Sequence, residues 1–403
     1  MQEQRLQRVA GYLAVIQFLL ATTWVIYVIY LGDLLDRIGI GRDKLLWFIL
    51  LDMSIFALMD ILMGFGSDRA GRLMKRLGPF ILTGNTLSCL AFAALPWIAG
   101  RDNAGGFEQG LWVVALVLWI ATSSVLKAPA FSLLTKHAAK PQIPGLVALS
   151  LTGLALGSAI GPYLGIVLKS VDPLLPFGLA SVVLWLATVG LIYMERYAET
   201  TTAVETEPPK VAPLQATSKK HLLLLSLLGG ALFLALGFQL HSFVNSKAHY
   251  LKFADPEQLV WLMPVFWIGF QCLAIPSSKL SKKYDPLLIM LLAIPLGVGA
   301  LWFTVYSTSL NMLIIAQLFA GGAWGVLLMG GISASLSIGG KSQCGLILGC
   351  WFSMLAVGAL VRVLLVMNEI PKQTAFSVWM EILPAICWIM AGICLYLTRR
   401  AYR

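Results

Sequence analysis

Charge is scarce in this chain. Asp, Glu, Lys and Arg make up 12% of its 403 residues, against 59% for the apolar types. Soluble globular domains carry about 25% charged residues, so the balance excludes that class and points to a polytopic helical membrane protein. Cysteine is sparse too, and all six (Cys89, Cys272, Cys344, Cys350, Cys387 and Cys394) fall inside apolar runs. They have neither zinc-ligand spacing nor a secreted disulfide framework, so packing is their expected role. No G-x-x-x-x-G-K-[ST] phosphate loop is present, which removes ATP as a drive, and no ligand cluster has metal spacing. The sequence therefore predicts no enzyme, no metal and no cofactor. The short alternating segments of a membrane β-barrel are also missing.

What is present is length. Twelve apolar segments can each cross ~30 Å of hydrocarbon, which takes about 20 helical residues. They run over 9–32, 45–66, 78–99, 110–134, 142–168, 173–195, 221–245, 257–277, 286–306, 309–338, 342–366 and 375–398. The first is too long for a signal-peptide core and lacks a small-residue cleavage site, so it is expected to stay as a helix. The stretch 199–220, rich in Thr, Pro, Glu and Lys, is the longest polar one and reads as a linker. It separates six-helix halves at 1–198 and 221–403.

The net charge of +10 would suggest a nucleic-acid partner in a soluble protein. Here the basic residues sit in short loops and report topology instead, with no nucleic acid implied. With the N-terminus placed in the cytoplasm, 19 of the 29 Lys and Arg fall in cytoplasmic segments, 8 in external ones and 2 inside helices. Both termini and the linker are thus expected inside.

The most informative motif lies after the second segment: Gly64-Phe65-Gly66-Ser67-Asp68-Arg69-Ala70-Gly71-Arg72, then Leu73-Met74-Lys75-Arg76-Leu77-Gly78-Pro79. The glycines permit close helix approach and the four bases hold the turn in the cytoplasm. After the eighth segment, Lys279-Leu280-Ser281-Lys282-Lys283-Tyr284-Asp285-Pro286 repeats the basic-Leu-x-basic-basic-x-x-Pro pattern, with Ile275 where the first copy has Asp68. The G-x-x-x-D-R-x-G-R pattern closely resembles the loop between helices 2 and 3 of the major facilitator superfamily of membrane transporters. The resemblance implies an all-α fold of twelve transmembrane helices in two pseudo-symmetric halves around a midplane site. It also implies a conformational latch, in which Gly64, Asp68, Arg69, Gly71 and Arg72 hold helix 2 against the cytoplasmic start of helix 11. Ser342 is the expected N-cap there, and a carboxylate beside that positive helix end is favoured. In helix 5, Gly153, Gly157, Gly161-Pro162 and Gly165 form a close-packing stripe. The stripe also resembles the signature of proton-coupled efflux pumps, apart from Ile166. Many proton-coupled members carry an arginine midway along helix 4, where this chain has Val117-Leu118-Trp119-Ile120.

Charges inside such helices cost about 2.5–3.5 kcal/mol each on insertion scales, so they are expected to face a cavity or a partner. Asp52, Asp60, Lys127, Arg362 and Glu381 are the candidates for proton coupling or gating. Their depths pair Asp60 with Lys127 in the cytoplasmic half and Asp52 with Arg362 in the outer half. Competition between a proton, Lys127 and substrate for Asp60 would be a coupling device; a permanent helix tie is the alternative. An Asp52–Arg362 pair would be an outer gate, with two independent structural charges the alternative.

In the superfamily the cavity is lined mainly by helices 1, 4, 7 and 10. Their polar and aromatic residues here are Gln17, Trp24, Tyr27, Tyr30, Trp119, Gln239, His241, Asn245, Gln317 and Trp324, with Thr23, Thr122 and Ser123. Broad aromatic faces with one polar handle suit an amphiphilic organic substrate. The expectation is a monomeric secondary transporter of a small organic molecule in a lipid bilayer, of bacterial inner-membrane type, exporting in exchange for protons. Proton-linked or passive uptake, and a non-transporting sensor or assembly protein, are the alternatives.

Overall fold

The computed structural model describes residues 2–74, 76–100, 105–199 and 217–402. Residues 200–216 of the expected linker, and Lys75 of the basic turn, lie outside the described residues. The rest is an all-α bundle of twelve membrane-length helices, with no strand among the described residues. In hydrocarbon every backbone N–H and C=O needs a partner within its own segment, and a helix supplies it.

In chain order the helices are α1 (Gln2–Arg37), α2 (Leu45–Met74), α3 (Gly78–Ala99), α4 (from Gly106–Ser123 to Ala128–His137), α5 (Ile143–Val167) and α6 (Leu174–Glu199). The second half has α7 (from Thr217–Leu240 to Ser246–Tyr250), α8 (Pro264–Leu280), α9 (Pro286–Val305), α10 (Leu310–Gly340), α11 (Ser342–Met367) and α12 (Thr374–Tyr402).

The helices depart from the expected regular segments at three places. α4 tightens to a 3-10 turn over Ser124–Leu126, breaks at Lys127 (φ −94°, ψ −104°) and then restarts. Pro129 explains the break: it has no N–H to give and its ring would strike the carbonyl four residues back, so it sits at the start of the new helix. α7 passes through a π-turn at His241–Asn245. α10 and α11 run end to end with only a kink between them, at Gly340 (φ 58°), a left-handed conformation that costs glycine nothing. Gln343 is also non-helical (φ −134°), so regular helix in α11 begins beyond Ser342. The acceptor at that helix start is Asp68 of α2, in place of the expected Ser342 cap.

Each half closes on itself. α5 packs on α1 through Gly153, where a Cβ would collide with the Ala14 carbonyl, and through Gly157 against Phe18 and Ala21. At the end of the bundle carrying both chain ends, here the terminal face, an acid ties the third helix of each half to the sixth. Glu195 of α6 accepts from the N–H groups of Leu77 (2.8 Å) and Gly78 (2.7 Å) at the start of α3. In the second half Asp285 caps α9, accepting from Leu288 N (2.9 Å), and receives Arg399 Nε of α12 at 3.0 Å. The halves meet along α2–α11 and α5–α8. On the latter seam Gln271 Nε2 donates to Thr152 Oγ1 (2.6 Å) and the Ala148 carbonyl (3.2 Å).

Candidate functional site

The site begins with the break in α4. Ending the helix early frees the Leu126 carbonyl, and the Gln17 amide of α1 fills the gap, donating from Nε2 at 2.8 Å. The next residue, Lys127, projects toward α2. Its Nζ lies 3.1 Å from Asp60 Oδ2 and 3.7 Å from the centroid of the Phe56 ring, one helical turn from Asp60. The partners are unequally placed: the Lys127 side chain is 24% exposed, that of Asp60 only 1%. Asp60 Oδ1 is buried without a hydrogen-bond partner.

This pair stands in the wall of a cavity of about 340 Å³ between the halves. The first half contributes α1, α2, α4 and α5, and the second contributes α7, α8, α10 and α11. The lining is mostly apolar and rich in aromatic rings. Trp24 stacks near Trp119 (6.2 Å, 21°), and Trp324 lies flat on Phe238 (4.3 Å, 4°). Phe131 and Phe352 approach to 6.2 Å across the halves. Few polar groups interrupt it, and Gln239 Oε1 is buried there without a partner.

Below the cavity the terminal face is tied shut. The Asp68 carboxylate accepts from Gly345 N (2.9 Å) and Leu346 N (2.8 Å) of α11, with the Cys344 thiol at 3.7 Å. The unsatisfied N–H groups and positive end of a helix dipole favour such an anion. Gly64 and Gly349 let the two backbones touch: a Cβ on Gly64 would collide with the Gly345 carbonyl, one on Gly349 with that of Asp60. Higher on the same seam Ser353 Oγ donates to the Ala57 carbonyl at 2.6 Å. Glu3 and Lys282 add an exposed pair at 3.2 Å. Arg69 and Arg72 are exposed at this end, and Gly71 lies in the last turns of α2.

The sequence profile described as the Major Facilitator Superfamily matches residues 12–363. This chain belongs to the major facilitator superfamily. No curated protein matches it. Among solved structures it is similar to the human organic anion transporter MFSD10 (TETRAN), at 15% identity and TM-score 0.69, over 98% of this chain and 99% of that one. It is also similar to a bacterial homologue of the iron transporter ferroportin in an outward-facing state, at 13% identity and TM-score 0.75, over 97% and 99%. The transporter FucP in the outward conformation aligns at 13% identity and TM-score 0.63, over 96% and 98%. At these identities the likeness is one of fold: the chain has the fold of the superfamily's membrane transporters, a family and fold that are not those of enzymes.

Of the residues expected to line the superfamily cavity, Gln17, Trp24, Trp119, Gln239 and Trp324 do so, with Thr23 and Ser123. Others bond elsewhere. Tyr27 is buried and donates to Asp52 Oδ2 at 2.7 Å. Tyr30 donates to the Leu168 (2.7 Å) and Val171 (2.9 Å) carbonyls. His241 Nε2 lies 3.0 Å from Gln317 Oε1, and Asn245 Nδ2 donates to the Met380 carbonyl at 2.7 Å. These ties hold the π-turn against α10 and α12. Glu381 sits away from the cavity, 3.3 Å from Lys252 and 3.7 Å from His249.

The structure brings Asp60 and Lys127 together and leaves Asp52 and Arg362 apart. Asp52 keeps one oxygen on Tyr27 and the other, Oδ1, unpartnered. Arg362 lies over the Phe243 ring at 5.1 Å with a buried, unpartnered Nε. Sequence reasoning missed the apolar cavity residues from α2, α5, α8 and α11, among them Phe56, Leu154, Trp267 and Phe352. Apolar side chains in an apolar helix give no signal of which face they occupy.

Proposed function

We propose that this chain is a secondary active transporter that moves a small amphiphilic organic molecule by alternating access, with proton movement linked to Asp60. The observation that carries the reading is the Asp60–Lys127 pair in the wall of a cavity shared by both halves. Two charges placed there cost several kcal/mol on insertion, more than a tie between two helices requires. The orphaned Asp60 Oδ1 gives a proton a place to sit whenever Lys127 is drawn away. Gly153 and Gly157 of the α5 stripe are accounted for by packing on α1 and Gly165 faces open space, so proton linkage rests on Asp60 and not on that motif.

Asp68 is the latch of this cycle. With the terminal face taken as cytoplasmic, on the Lys and Arg bias, the state described is closed inside. Two of the similar structures are described by outward states, which accords with this reading. Asp52 and Arg362 are then the partners held in reserve: each has an unsatisfied buried polar atom here, and each gains a counter-charge if the outer ends of α2 and α11 close together. A monomer in a bacterial inner membrane with both termini inside completes the proposal.

The test is transport in proteoliposomes. Wild type should accumulate its substrate under an imposed pH gradient. Asp60→Asn should lose accumulation while keeping exchange of internal for external substrate. Accumulation that survives Asp60→Asn removes Asp60 from the scheme.

A further inference from the structure

The two acids near the cavity are both hidden, while the base paired with one of them is not. Asp60 is 1% exposed and Asp52 is fully buried with Tyr27 bonded to it. The Lys127 side chain is 24% exposed against 1% for Asp60, so of the two partners in the cavity wall the ammonium is the accessible one. Nearer the far face, Arg362 stands one turn beyond Ala359, which lines the cavity, and packs on Phe243, which also lines it. No carboxylate lies within ion-pair distance of Arg362 among the described residues. A ligand entering between the apolar walls therefore meets the Lys127 ammonium before either carboxylate.

We infer that the substrate is an aromatic or otherwise apolar organic anion, whose acidic group takes the Lys127 ammonium from Asp60 while a proton from solvent neutralises the released carboxylate. The inference rests on the reading of Asp60–Lys127 as the transport site. Charge balances throughout: one anion and one proton bind together, Lys127 stays an ammonium, and the loaded site has the same net charge as the empty one. An unpaired carboxylate buried beside Phe56 and α11 would be costly, so the proton must accompany the anion. Around Asp60, Lys127 of α4 is the charged group within reach among the described residues; the Ser124 hydroxyl lies alongside, α11 offers the Gly349 backbone, and Gln17 and Gln239 of α1 and α7 are neutral. A cation would have to displace Lys127 from in front of Asp60 and would leave that ammonium unpaired. The cavity therefore selects for the anion, and transport is a proton–anion symport with no net charge moved.

Three probes with one ring system decide it: 1-naphthaleneacetate, 1-naphthylmethylammonium and 1-naphthalenemethanol, titrated against the full-length protein in detergent and read by tryptophan quenching. The acetate should bind in preference to the other two, more tightly as pH falls, by at most about tenfold per pH unit for one co-bound proton. Lys127→Gln should weaken it about 10- to 100-fold, the loss of a charge-assisted contact, and Lys127→Arg should restore it. Asp60→Asn should bind the acetate at least as tightly as wild type and without pH dependence, because the internal competitor is gone; a misfolded variant could not show that gain. Acetate binding that is absent in wild type, or lost in Asp60→Asn, overturns the inference. Preference for the ammonium probe, abolished by Asp60→Asn, overturns it while leaving Asp60–Lys127 as the transport site. Binding of all three that ignores both variants removes that site as well.

Discussion

Removing the Asp68 carboxylate should open the terminal face, and the chain contains its own reporter. In the state described, Asp68 accepts from two α11 amides at 2.9 and 2.8 Å, and Cys344 is buried beside it, 3.5 Å from Thr135 Oγ1. Hydrogen bonds to a charged group contribute about 1.5–3 kcal/mol each, so the two together favour closure by about 3–6 kcal/mol before competition from water. Asp68 lies at the end of the bundle beside the exposed Arg69 and Arg72, so in the open state water recovers part of this; we take about 2–3 kcal/mol as the net loss in Asp68→Ala, or about 30- to 150-fold in the open-to-closed ratio. Cys344 is reachable only when the face opens, so its alkylation by a membrane-impermeant maleimide should accelerate by that factor. Mass spectrometry resolves it from the other five cysteines, and Cys387, buried within the second half, serves as the folding control. Unchanged Cys344 alkylation in a folded Asp68→Ala protein would refute the latch.

Gly349→Ala should act in the same direction, because its Cβ meets the Asp60 carbonyl, a backbone atom that cannot rotate away; Cys344 alkylation again reads it. Gly153→Ala should lower thermal stability by about 1–3 kcal/mol through overpacking against Ala14, whereas Gly165→Ala, with open space around it, should be neutral in the same melting assay. Glu195→Ala leaves the Leu77 and Gly78 amides of α3 without their acceptor and should cost about 1–2 kcal/mol, seen as a lower melting temperature with the binding of the naphthalene probes intact. Paired cysteines replacing Asp52 and Arg362 should cross-link more readily in an Asp68→Ala background than alone, since opening one face should close the other.

The bundle was legible because apolar length and loop charge are local properties. Twelve runs could be read from the segment count, whereas the position of Asp68 against α11 came from the resemblance of residues 64–79 to the superfamily loop. The Asp60–Lys127 pairing was legible from depth alone. What was hidden were the departures from regular helix. The break at Lys127 depends on Pro129 acting together with Gln17, which is more than a hundred residues away, and single-segment reasoning cannot couple them. The π-turn at His241–Asn245 depends on Gln317 and the Met380 carbonyl in the same way. It turned three expected cavity residues into ties between helices. Tyr27 and Tyr30 likewise read as cavity aromatics, but their hydroxyls find Asp52 and two carbonyls inside the first half. A buried hydroxyl must find an acceptor, and the sequence does not say which one is near.

The most direct test of the central claim follows internal pH in sealed proteoliposomes with a trapped dye, while a panel of metabolites and drugs is added outside without an imposed potential. The account predicts that any compound the protein transports evokes proton movement in wild type and none in Asp60→Asn. Transport that proceeds with no proton movement, or with the same movement in Asp60→Asn, would contradict it.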